Sequence, residues 1–99
     1  MPFNSKDNRI TVRGIVYSNI EAVENNNYAI TFKVKIMRPS EVGKEQRFDI
    51  FDVYVCDRQN VNNVLNNLTR GLGVSVKGEL RTWFDGTYKI CANKIEPIW

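Results

Sequence analysis

Two kinds of side chain recur at the positions of this sequence that alternate with apolar ones: cations and flat rings. The cations are Arg13, Lys33, Lys35, Arg38, Arg47, Lys77, Arg81 and Lys89; the rings are Tyr17, Phe48, Phe51, Tyr54, Trp83 and Phe84. Together they suit a binding chemistry. Ammonium and guanidinium groups follow a phosphate backbone, and aromatic faces stack unpaired bases at about 1–3 kcal/mol per base. Each also has a plainer use. Lys33 and Lys35 on an outer strand face serve equally as solvated edge guards. Phe51 and Tyr54 are an odd number of positions apart, so both cannot point outward from one strand, and one belongs to a core or a subunit contact. Phe84 can pack back onto its own turn, and Trp99 is expected to cover one end of the fold or a partner subunit. Trp83, beside a turn, is the ring best placed to stack, because large apolar groups are seldom left at loops without a partner.

The residue types that break bonds are missing or wrongly spaced. There is no histidine, and the two cysteines, Cys56 and Cys91, cannot supply the four ligands of a usual zinc site. Asp49 and Asp52 lie three apart in a strand-like run, on opposite faces, and so do not form a carboxylate pair. No glycine-rich phosphate loop occurs. The expectation is a protein without enzymatic activity, metal or cofactor. Both cysteines sit in strand-like runs, where a buried reduced thiol acts as a small apolar residue.

Ninety-nine residues carry 14 Lys and Arg against 11 Asp and Glu, a net charge of +3, with a pI near 9.0. That balance suits a nucleic-acid partner without requiring one. The length allows one domain with a marginal core, which self-association would help. Hydrophobic content of 42% is ordinary, and no apolar run approaches the ~18 residues that span a bilayer. The polar start from Met1 to Asn8 has no signal-peptide centre and reads as a loose arm in a cytoplasmic protein. The asparagine clusters, Asn25–Asn27 and Asn60, Asn62, Asn63, Asn66 and Asn67, read as compositional drift rather than function.

The elements that would position these groups are strands. From Arg9 to Tyr17, Ile10, Val12, Gly14 and Val16 share one face, and Ile20 to Glu24 weakly continues the run. From Tyr28 to Met37, Tyr28, Ile30, Phe32, Val34 and Ile36 make a core face opposite Lys33 and Lys35. A polar loop, Arg38 to Arg47, joins this run to Phe48–Cys56 in a long hairpin. The phase of that third run is open: Phe51, Val53 and Val55 form one apolar set, and Phe48, Ile50, Tyr54 and Cys56 form another. Val61, Val64, Leu65 and Leu68 then have the i, i+3, i+4, i+7 spacing of a short helix, with Asp57 as N-cap and Gly71 as stop. Val74, Val76, Gly78 and Leu80 line the inner face of the fourth run, leaving Lys77, Arg81 and Trp83 outside with Lys89. At Phe84-Asp85-Gly86, a two-residue turn would pair Trp83 with Tyr88. A three-residue loop with Gly86 left-handed pairs Thr82 with Tyr88 and Leu80 with Ile90, and is preferred because it keeps the apolar residues together.

Five strands with one helix between the third and fourth is the order of a five-stranded OB-fold Greek-key barrel, an all-β class whose groove commonly takes single strands. Residues 1–8 are then an arm and 9–99 the domain. With that order in place, the chain resembles the bacterial single-stranded DNA-binding protein family and its shorter relative, the primosomal replication protein N branch, over about Asn8 to Ile98. The resemblance rests on Asn8-Arg9-Ile10-Thr11-Val12-Arg13-Gly14-Ile15-Val16, on Arg70-Gly71-Leu72-Gly73-Val74-Ser75-Val76-Lys77-Gly78-Glu79-Leu80-Arg81-Thr82, and on Tyr88-Lys89-Ile90-Cys91-Ala92-Asn93-Lys94-Ile95. It departs from the family in three places. Phe51 stands roughly where the family tends to have tryptophan, the loop after the fourth strand is short, and the chain stops at Trp99 where replicative members continue into an acidic, phenylalanine-tipped tail. The end at Trp99 fits either a tail-less form or a truncated one. The resemblance implies a coat for single-stranded DNA with little sequence preference in replication, recombination or repair. It implies a homodimer or homotetramer, contacts with replication or recombination proteins, no membrane, and the cytoplasm of a bacterium or of a phage or plasmid host. The alternatives are a primosomal-type barrel acting mainly through protein contacts, and an RNA-binding barrel.

Overall fold

The computed structural model describes residues 8–23, 29–39 and 42–98. Most of the arm, the 25–27 turn, Tyr28 and Trp99 lie outside them.

Strict alternation makes β1 (Ile10–Val16) a half-buried strand, with Val12, Gly14 and Val16 inward as expected. β2 is only Glu21–Ala22, a short addition to the edge of β3 (Ile30–Met37). β3 turns Ile30, Phe32 and Val34 into the core and pairs along its whole length with β4 (Phe48–Val55), from Ile30↔Val55 to Met37↔Phe48. The hairpin is the long one expected.

Its register settles the phase of β4. Val53 and Val55 are fully buried, Phe51 packs against the core, and Phe48, Ile50, Asp52 and Tyr54 take the outer face. Phe51 is therefore withdrawn from the candidate stacking rings. A β-branched pair deep in the barrel outweighs the outer set, which contains a carboxylate.

The helix α1 (Arg58–Asn67) begins where Asp57 accepts a hydrogen bond from the Asn60 amide, the expected N-cap. Val61, Val64 and Leu68 are buried, but Leu65 is left 58% exposed. A helix this short packs along one narrow stripe, and Leu65 falls outside it. The stop also differs. Leu68 is the C-cap in extended conformation, and Gly71, at φ 95°, makes the separate turn that follows. The asparagines have structural work here: Asn60 Nδ2 donates to the Asn93 carbonyl at 2.8 Å and Asn63 Nδ2 to the Ile95 carbonyl at 2.9 Å. They tie α1 to β6.

β5 (Gly73–Thr82) and β6 (Tyr88–Pro97) are the longest strands, paired in the preferred register, Leu80↔Ile90 and Thr82↔Tyr88. The three-residue loop has Gly86 at φ 84°, with the Gly86 amide on the Trp83 carbonyl and the Trp83 amide on the Thr87 carbonyl. Val74 and Val76 are fully buried and Gly78 is inward, but Leu80 is 38% exposed because the hairpin runs on past the barrel. Asn8, assigned to the loose arm, extends the β5 ladder: its side-chain amide both donates to and accepts from the Leu80 backbone at 3.0 Å.

The barrel closes through two further pairings. β1 bends away from β5 to meet β3 at Ile15↔Lys35, and β4 runs parallel to β6 at Val53↔Ile90. Gly14 and Gly78 sit at close approaches, where a Cβ would collide with the carbonyl oxygens of Lys35 and Cys91. Phe32, Ile90 and Ile95, each almost fully buried, centre the core and stabilise it by roughly 1.5–3 kcal/mol apiece.

Candidate functional site

Because side chains alternate, the β3–β4 register lays one row of pairs on the outside of the barrel: Thr31 by Tyr54, Lys33 by Asp52, Lys35 by Ile50 and Met37 by Phe48. The parallel contact with β6 brings the distal β5–β6 hairpin, with Lys89 and Trp83, against the Tyr54 end of this row. β1 brings Ile15 and then Tyr17 against its other side. Rings and cations from separate parts of the sequence thus share one outer face.

At the Trp83 end, Trp83 and Tyr54 pack edge to face with centroids 5.0 Å apart. Lys89 Nζ lies 5.5 Å from the Trp83 ring. Lys33 Nζ is 2.6 Å from Asp52 Oδ1, and Lys89 Nζ is 3.9 Å from Asp52 Oδ2. At the Phe48 end, Lys35 Nζ stands 3.9 Å from the Phe48 ring centroid and 5.1 Å from that of Tyr17. Ile15, Met37, Phe48 and Ile50 are all exposed there, and Ile15, Met37 and Phe48 surround a shallow apolar depression with Arg13, Lys35 and Ile36.

The remaining candidates divide. Arg38 pairs with Asp49 at 2.6 Å and its pKa rises, chiefly through that hydrogen bond and then the charge. By alternation Arg38 and the exposed Arg47 fall in phase with Ile36 and Asp49, on the side of the hairpin away from Lys35 and Phe48, where they line a separate concavity. Arg81 pairs with Glu79 on its own strand. Phe84 does not pack back on the turn: it is 98% exposed at the hairpin tip. Lys77 is not with Trp83 and Lys89. A bulge between Lys77 and Gly78 pairs Lys77 with Lys94, and it lines another concavity with Arg9, Thr11 and Lys94.

Both cysteines correct the sequence reading, since Cys56 is exposed and Cys91 half-buried beside Tyr54 in the register. Partial burial raises the Cys91 thiol pKa, with the nearby Cys56 adding to it. Asp85 is held below the usual carboxylate range by hydrogen bonds from the Thr87 hydroxyl and amide. Asp52 and the apolar group Ile15, Met37 and Ile50 were missed as site residues. The β3–β4 register, counted back from the loop, was the signal that places Asp52 opposite Lys33.

The sequence matches no protein-family model and no curated protein. Solved structures do match. A small single-stranded DNA-binding protein from Streptomyces coelicolor aligns over 91% of each chain at TM-score 0.70 and 20% identity. A Plasmodium falciparum SSB in complex with ssDNA aligns over 92% of each at 0.71 and 22%. The dimeric N-terminal domain of PriB from Thermoanaerobacter tencongensis aligns over 93% of this chain and 97% of that one, at 0.64 and 19%. This chain has the OB-fold barrel that those proteins share. The expected fold class is thereby established, and the resemblance read from the sequence reappears in three dimensions.

Proposed function

We propose that the chain binds single-stranded DNA along the outer face of β3 and β4 and the adjoining β5–β6 hairpin, coating it with little sequence preference. The observation that carries this reading is the convergence on one face of Lys35, Phe48 and Tyr17 with Tyr54, Trp83 and Lys89. Cations track phosphates and rings stack bases, and neither kind of contact selects one base over another. The reading is of a binding protein rather than an enzyme, serving replication, recombination or repair in a bacterial cytoplasm, whether of the host, a phage or a plasmid. A homodimer or homotetramer fits the small core, and replication or recombination proteins are further partners.

The test is the affinity for a fluorescein-labelled oligothymidine of about 35 nucleotides, several times the ~4–16 nucleotides one such barrel covers. Tight single-strand binding, weak duplex binding and a salt slope of several phosphates support the reading. No binding at low salt overturns it and favours a protein partner on the apolar Phe48 end, while preference for oligouridine moves the assignment to RNA.

A further inference from the structure

Resting on that reading of the outer face, we propose that Asp52 determines its specificity: it is an internal anion that masks Lys33 and Lys89, so that binding depends on stacking and duplex is disfavoured. The geometry is direct. Asp52 stands opposite Lys33 in the β3–β4 register, with one carboxylate oxygen 2.6 Å from the Lys33 ammonium and the other 3.9 Å from that of Lys89. Its side chain is 29% exposed and that of Lys89 only 21%, so the carboxylate is held within the face rather than waving in solvent. Glu21 of β2 lines the same concavity. Two ammonium groups therefore meet the Asp52 carboxylate beside Trp83, and the net charge they offer to a phosphate there is cut by about half.

A duplex presents one phosphate charge per ~1.7 Å of axis and no free base faces, so it relies on cations; a single strand has a lower charge density and gains from the rings. Masking the cations at the aromatic end penalises the duplex most. Asp52 thus trades affinity for discrimination.

Asp52→Asn keeps the shape and removes the charge. The full chain and this variant are compared by fluorescence anisotropy on oligothymidine and on a duplex of equal length, across a salt series, with far-UV circular dichroism checking the fold. The variant is expected to bind duplex about fourfold tighter, as one unit charge at ~5 Å in water implies. Oligothymidine should gain less, so the single-strand to duplex ratio falls, and the oligothymidine salt slope should steepen by about 0.7. Lys33→Met should weaken binding modestly in the parent, because it leaves Asp52 without its nearest cation, and should remove part of the gain in the variant. Asp52→Ser gives the same reading should the asparagine variant fail to fold, and Asp52→Glu should keep parental behaviour. If the parent binds oligothymidine but the neutral variants bind no tighter, or gain equally on both ligands, Asp52 has no such role. If no form binds either ligand, the reading of the face itself fails and this inference with it.

Discussion

The two ends of the outer face are built from the same residue types and balanced differently. At the Phe48 end, Lys35 stands over two rings, no carboxylate pairs with it among the described residues, and isoleucine and methionine surround it. At the Trp83 end, the rings pack on each other, and Lys33 and Lys89 share Asp52. One end offers charge on an apolar floor and the other offers aromatic surface with its charge partly offset. The contrast shows that a count of outward lysines is a poor measure of a phosphate-binding face, because one acid on the neighbouring strand offsets part of their charge.

Substitutions separate the two ends. Trp83→Ala should have the largest effect, lowering oligothymidine affinity by about 1–3 kcal/mol, roughly 5- to 150-fold, with the salt slope unchanged. Equal slopes and equal affinities would show that the ring does not stack. Lys35→Met comes next: several-fold weaker binding at low salt and a slope shallower by about 0.7. Lys33→Met should cost clearly less, and an equal cost would erase the contrast between the ends. Both thiols lie toward the Trp83 end, and Cys56, exposed, should react with a thiol reagent faster than Cys91, whose partial burial raises its pKa. Mass spectrometry of partly labelled protein reads the order.

The smallest effect concerns the hairpin that carries Trp83. Asp85 has a folded pKa below its ordinary value through the Thr87 hydrogen bonds. Its stabilisation of the turn is therefore complete above the ordinary carboxylate pKa and is lost as pH falls through the lowered one. Thr87 amide shifts followed by NMR from neutral to acid pH should move only in that acid window, and a change near neutrality would contradict the assignment.

Much of the fold was legible because its strands alternate cleanly. β3 has one apolar face and one carrying lysines, and the β5–β6 register followed from keeping Leu80 beside Ile90. β4 was not legible alone, since both of its faces are apolar enough to be inward; only its pairing with β3 decides. The roles of Asn60 and Asn63 depend on carbonyls more than thirty residues away, which composition cannot reveal. The cysteines were misplaced because polarity says little about a thiol, whereas position after Val55 and opposite Tyr54 puts both outward. For the site, the types were readable and their balance was not. Lys77 left the group because it lies six residues before Trp83 along the β5 hairpin, opposite Lys94, and Asp52 joined it through a cross-strand pair.

The most direct test of the central claim is an amide chemical-shift titration of the isotopically labelled chain with oligothymidine. Perturbations should cluster on Lys33, Lys35, Ile50, Tyr54, Trp83 and Lys89 and fade toward the opposite side of the barrel. Shifts centred instead on Thr11, Lys77 and Lys94, or none at all, would contradict the claim.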